Sequence, residues 1–211
     1  KNIAYDYYIG GTAKHPAYRF LEHLLLYKNA PLERAKAMKH IEEYIWKKGT
    51  NNNTPNNYTS FFGGSAWEKD SKTNEYYLHY FSKKQPDLNW ENQNVRNDVY
   101  DIMKFWLDKG IDGFRMDVIP FISKHRNFEN LNSKELKNPE ITYASGPRLH
   151  EFLKEMNKKV LSNYDIVSIG EAFGIGQDSM LKMTDEREKE LDLVFIFDIC
   201  FEIYSFRLIR D

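Results

Sequence analysis

The sequence predicts an α/β fold with a parallel sheet, in the form of a partial barrel. Three observations carry this. From Asn94 onward helical and strand patterns alternate, each helix followed by a strand, three times over. The strands are short and nearly all apolar, as strands covered on both faces are. Each also runs out in a carboxylate, at Asp117, Glu171 and Asp198, which a barrel gathers at one rim. A doubly wound sheet shares the first two patterns, but no Gly-rich phosphate loop follows any strand, which favours the barrel.

The elements follow in order. Val95, Val99, Ile102 and Trp106 recur at helical spacing, and Gly110 stands where a helix end is capped. A strand follows at 111–118, whose alternation puts Phe114 and Met116 on one face and Gly113, Arg115 and Asp117 on the other. The polar stretch 119–145 is too long for a simple connection and reads as functional or irregular. Ser145-Gly146-Pro147 starts the next helix, with Pro near its first position, and Leu149, Phe152, Leu153, Met156 and Val160 draw its buried stripe. Asn163-Tyr164-Asp165 turns the chain into a second strand, Ile166 to Glu171. A charged helix over 178–191 precedes a third, Leu193 to Asp198.

The first half is less regular. Pro16 to Lys28 and Pro31 to Lys47 read as helices, the first carrying Leu21, Leu24 and Leu25 and the second Leu32, Ala35, Met38, Ile41 and Ile45. Joined tightly at Asn29-Ala30, they form a helical hairpin whose plain reading is a packed structural insert. The run from Asn51 to Asn57 is a solvated loop by composition, and Glu75 to Phe81 has the aromatic content of a strand. The predicted organisation is an irregular subdomain over 1–93, with the hairpin inserted at 10–47, and the partial barrel over 94–211.

Composition excludes several functions. Lys plus Arg (30) balances Asp plus Glu (31), so no nucleic-acid or membrane-surface footprint is expected. The one cysteine, Cys200, rules out an internal disulfide framework and favours a reducing, cytoplasmic setting. No apolar run reaches the length of a membrane span, and no signal peptide is visible. The chain opens on Lys1 and reads as a piece of something longer. If the strands at 111 and 166 are parallel neighbours, Asp117 and Glu171 emerge at one edge, the equipment of acid/base and nucleophilic sugar chemistry. Taken singly, Asp117 reads equally as a capping carboxylate and Arg115 as a structural ion pair.

Five motifs, in order, then resemble the α-amylase family of glycoside hydrolases. Gly113-Phe114-Arg115-Met116-Asp117-Val118 and Gly170-Glu171 look like its nucleophile and acid/base motifs, and Gln85-Pro86-Asp87-Leu88-Asn89-Trp90 is similar to its motif near the end of the small domain that interrupts the barrel. Phe62-Gly63-Gly64-Ser65-Ala66-Trp67 and Gly146-Pro147-Arg148-Leu149-His150-Glu151-Phe152 narrow it to the oligo-1,6-glucosidase and α-glucosidase branch. The resemblance implies a partial (β/α)8 TIM barrel, strands four to six, with an irregular α+β subdomain inserted after the third strand. It implies retaining hydrolysis of α-glucosidic bonds in short oligosaccharides, with Asp117 as nucleophile, Glu171 as general acid/base, and Arg115 and Val118 at the substrate. Val118 resembles branch members that cleave α-1,6 linkages; small or hydroxyl residues there accompany α-1,4 preference.

Retaining chemistry holds its two carboxyl groups about 5–5.5 Å apart. Arg115, on the strand face of Asp117, can keep it an anion, while a less polar setting raises Glu171 for proton donation. Asp87 and Asn89 read as structural braces. The family's motifs after its third and seventh strands are missing, the second bearing its third carboxylate, so the 211-residue chain is expected to be silent alone. Tyr7-Tyr8-Ile9 runs into Gly10-Gly11, and a Tyr44-Ile45-Trp46 echo reappears later, with the hairpin where the family has nothing. The tail Phe206-Arg207-Leu208-Ile209-Arg210-Asp211 faintly resembles the Arg-rich loop of sucrose isomerases, although a surface charge cluster fits as well. A sucrose isomerase or transglucosidase, and a non-catalytic amylase-like domain, are the alternatives. The expected partner is an oligosaccharide, with no cofactor, metal, nucleic acid or membrane.

Overall fold

A computed structural model of the chain describes residues 4–7, 43–50, 53–125 and 127–195, which form two compact units. The hairpin up to residue 42, the strand end 196–198 and the tail 206–211 lie outside the described residues.

The larger unit comprises residues 4–7, 99–125 and 137–195. Its sheet has the order β1-β5-β6-β7, with β1 Ala4–Tyr7, β5 Gly113–Met116, β6 Val167–Glu171 and β7 Leu193–Phe195. Every pairing is parallel. The parallel α/β sheet is therefore present, and β1 is a strand that the sequence pattern did not reveal. Phe114 and Met116 are buried, as the alternation requires. Gly113 is obligatory for a close approach: at φ +151° a β-carbon there would lie 1.9 Å from the Val167 carbonyl oxygen.

Between the strands run α1 Gln93–Leu107, α2 Pro139–Thr142, α3 Leu149–Lys159 and α4 Gln177–Thr184. In α1 the buried apolar positions are Val95, Tyr100, Met103 and Leu107, one residue round from the predicted stripe at its last three places. Gly110 closes the helix at φ +84°, its N–H donating to Leu107 O at 2.8 Å. The stripe of α3 is buried as predicted. Its start differs: Pro147 lies two residues before the first helical residue.

Two further expectations are corrected. The stretch after β5 opens with a buried apolar 3-10 turn, Ile119–Ile122, so its beginning is core. The charged helix also stops at Thr184, seven residues early. Asp185 accepts from the Arg187 main-chain N–H at 2.9 Å and its carboxylate pairs with the Arg187 guanidinium, a local turn that competes with helix.

The motif around His150 is accounted for by packing. A β-carbon on Gly146 would meet the Ser123 carbonyl carbon at 2.3 Å. Arg148 pairs with Glu151 and lies over the Phe152 ring at 4.6 Å. His150 bridges Glu190 Oε2 (2.8 Å, through Nδ1) and Ser179 Oγ (2.9 Å, through Nε2).

The smaller unit comprises residues 43–50, 53–98 and 127–136. It holds an antiparallel sheet β2-β4-β3, from Trp46–Lys47, Tyr76–Leu78 and Trp67–Lys69. Residues 43–47 are thus not the end of a helix. Ile45 exchanges main-chain hydrogen bonds with Leu78 and Asp87, and the Trp46 ring packs edge-on against Tyr77 at 5.5 Å, the cross-strand pairing that suits β-branched and aromatic residues. Asn56, assigned by composition to a solvated loop, is buried. Its Oδ1 accepts from Trp67 Nε1 (2.7 Å) and Tyr58 N (3.0 Å), and its Nδ2 donates to Phe128 O (2.9 Å). Asp87 and Asn89 brace main chain, through Asp87 N to Leu78 O (2.8 Å) and Asn89 N to Glu43 O (2.6 Å). Among the described residues no helix is long and apolar enough to cross a membrane.

Candidate active site

The parallel register brings the site together. Met116 lies opposite Gly170, so the next residues along each strand, Asp117 and Glu171, come out side by side, and Arg115 shares their face. Glu171 is in turn opposite Phe195. Asp117 sits one residue beyond the end of β5, and Glu171 is the last residue of β6.

The guanidinium of Arg115 spans the two acids. Its Nη1 donates to Asp117 Oδ1, and its Nη2 donates to Glu171 Oε2 at 2.5 Å. The ring of Phe195 flanks that guanidinium at 5.4 Å and covers it on one side. All three polar side chains are largely buried, the most exposed being Arg115 at 25%. Two carboxylates pressed together out of water cannot both ionise cheaply. Burial pushes the Glu171 carboxyl up, the hydrogen bond to Asp117 and its charge push it further, and the Val118 amide and Arg115 only partly offset them.

Of the four predicted site residues, Arg115, Asp117 and Glu171 meet through their side chains. Val118 reaches the cluster by its main chain instead: its N–H donates to Glu171 Oε2 at 3.3 Å. Its backbone is left-handed, at φ 37° and ψ 43°. Sequence reasoning missed this contact and the Phe195 ring. No signal announced the first, since a β-branched residue argues against a left-handed turn. The second needed only the register of the third strand. Among the described residues no group of three or more His, Cys, Asp and Glu side chains could hold a metal ion. The arrangement favours a proton on Glu171 next to the Asp117 carboxyl, with Arg115 bonded to both.

The chain resembles known proteins over most of its length. Residues 24–205 match the family described as "Alpha amylase, catalytic domain". An oligo-1,6-glucosidase from Parageobacillus thermoglucosidasius is 52% identical over 168 residues, 78% of this chain and 30% of that protein. A trehalose-6-phosphate hydrolase from Bacillus subtilis (strain 168) is 50% identical over 155 residues, 73% of this chain and 27% of that protein. Among solved structures, the isomaltulose synthase of Protaminobacter rubrum superposes with a TM-score of 0.73 at 52% identity, over 75% of this chain and 28% of that one. The chain spans about 30% of the length of the oligo-1,6-glucosidase relatives it matches.

Proposed function

The chain belongs to the alpha-amylase catalytic-domain family, and on that premise we propose that it carries the nucleophile and the acid/base of a retaining α-glucosidase acting on short oligosaccharides. Asp117 is the nucleophile and Glu171 the proton donor and acceptor. The observation that carries this is one guanidinium, Arg115, bonded to both carboxylates while burial and the neighbouring Asp117 push Glu171 up. In the first step the Asp117 carboxylate forms a bond to the anomeric carbon as the bond to the leaving oxygen breaks and Glu171 delivers its proton there. In the second, Glu171 takes a proton from water, the hydroxide oxygen bonds to the anomeric carbon, and Asp117 leaves.

In the same reading the larger unit is the part of a (β/α)8 barrel containing strands four to six, β5, β6 and β7. β1 pairs with β5 and belongs to the sheet; the region after it up to residue 93, with an insertion that ends before residue 43, is the subdomain that follows the third strand. The Val118 side chain favours α-1,6 linkages, as the oligo-1,6-glucosidase relatives support. The partner is an oligosaccharide, and the single cysteine supports a cytoplasmic setting. Sucrose isomerisation by the same carboxylates is the second reading, favoured by the isomaltulose synthase likeness; the products formed from sucrose and from isomaltose separate the two.

The nucleophile is tested by trapping. The full-length protein, incubated with a 5-fluoro-α-glucosyl fluoride and digested, is expected to carry the sugar on the peptide containing Asp117. Label on another residue, or fast turnover with none trapped, counts against the assignment.

A further inference from the structure

Val118 holds the least comfortable backbone near the site. Left-handed φ and ψ crowd a β-branched side chain more than almost any other, and Gly is the residue that adopts them freely. Such an outlier persists when its surroundings fix it. Here the surroundings are visible. Val118 O accepts from Phe121 N at 2.9 Å, closing the buried turn Ile119–Ile122. The Phe121 ring stacks on Tyr143 at 5.8 Å, and Ile119 packs so closely on Gly170 that a β-carbon there would meet its Cγ2 at 3.1 Å. The turn is therefore anchored to β6, the strand that carries Glu171.

We propose that the main-chain amide of Val118, aimed by this left-handed turn, is a positioning group that assigns the two oxygens of Glu171 to different tasks. Oε2 accepts from Arg115 Nη2 and from Val118 N. Two donors on one oxygen leave that oxygen no place for a proton, so the transferable proton resides on Oε1. Arg115 alone would hold Oε2 by a flexible side chain already shared with Asp117. The second donor belongs to the backbone, cannot rotate away, and stays when Asp117 is drawn off to the sugar. At 3.3 Å it lies at the long end of N–H···O hydrogen bonds, with room to shorten in the course of the reaction. This inference rests on Glu171 being the acid/base of the proposed function.

The test removes only that N–H, by replacing Val118 with its α-hydroxy analogue in the full-length protein so that an ester stands where the amide was. Losing a donor to the anion makes ionisation of Glu171 harder. The basic limb of the kcat/KM profile on isomaltose is therefore expected to move to higher pH, with kcat falling roughly tenfold. Turnover of a dinitrophenyl α-glucoside, whose leaving group needs no proton, should hardly change. Val118→Gly keeps the amide and is expected to keep the limb where it is. If the ester variant leaves both limb and leaving-group dependence unchanged, or if Val118→Gly moves the limb as far, the amide has no such role. Should the ester protein not fold, Pro120→Ala, which loosens the anchoring turn, must move the limb in the same direction; an unmoved limb refutes the proposal. Failure of the underlying reading looks different: Glu171→Gln would then retain full activity on isomaltose.

Discussion

Two glutamates of the sheet unit are almost wholly buried, Glu171 at 7% exposure and Glu190 at 1%, and each has a basic side chain against it. Their surroundings differ in one respect that decides their use. Glu190 has His150 as its partner, with Ser179 behind the imidazole, and its Oε1 meets no hydrogen-bond partner among the described residues. That row ties α3 to α4 and to the turn leading into β7, which is a structural task. Glu171 has a second carboxylate, Asp117, as well as a cation. The like charge brings no stability, and only chemistry repays it. A buried acid with one partner is a brace; a buried acid forced against another acid is a proton store.

Substitutions should separate the two acids, and one in the smaller unit probes its own buried amide. The largest effect is expected at Asp117: Asp117→Asn in the full-length protein should lower kcat on isomaltose by about 10^4-fold, and Glu171→Gln by about 10^2- to 10^4-fold, measured by glucose release. The brace behaves otherwise. His150→Ala leaves Glu190 Oε2 without its partner in the interior and should cost about 1–3 kcal/mol in urea unfolding, with the pH profile of surviving activity unmoved. A shifted profile would make the brace part of the site. In the smaller unit, Asn56→Ala leaves the Trp67 indole N–H and the Tyr58 amide without their acceptor and should cost about 1–3 kcal/mol, again in urea.

The smallest effect is one of sign. Because the Glu171 carboxyl is raised, the folded state keeps its proton where the unfolded chain has lost it, so this group's contribution to stability is present at low pH and is lost as pH rises from the ordinary carboxylate range through the raised value. Glu171→Gln removes that loss and should be more stable than the parent at neutral pH, as read by thermal melting. The gain should vanish in acid.

The sheet unit was legible because its signals are periodic and local. Asp117 and Glu171 stood out as the ends of two apolar runs and Arg115 by strand alternation, while their roles came with the family resemblance; parallel pairing of β5 with β6 was the condition that the structure meets. What escaped the sequence depends on tertiary contact. β1 is too short to declare itself, and residues 43–47 carry a helical stripe that pairing with β4 overrides. Asn56 looks like loop because its composition is that of a loop, while its amide is consumed inside the unit. The left-handed Val118 contradicts its own residue type and is set by the buried turn behind it.

Whether Asp117 attacks the sugar while Glu171 moves the proton is decided by azide rescue of Asp117→Ala and Glu171→Ala in the full-length protein on a dinitrophenyl α-glucoside. Azide standing in for the missing nucleophile inverts the sugar, whereas azide replacing water in the second step leaves it retained. β-Glucosyl azide is expected from Asp117→Ala and α-glucosyl azide from Glu171→Ala. The reverse pairing, or the same anomer from both, would contradict that assignment.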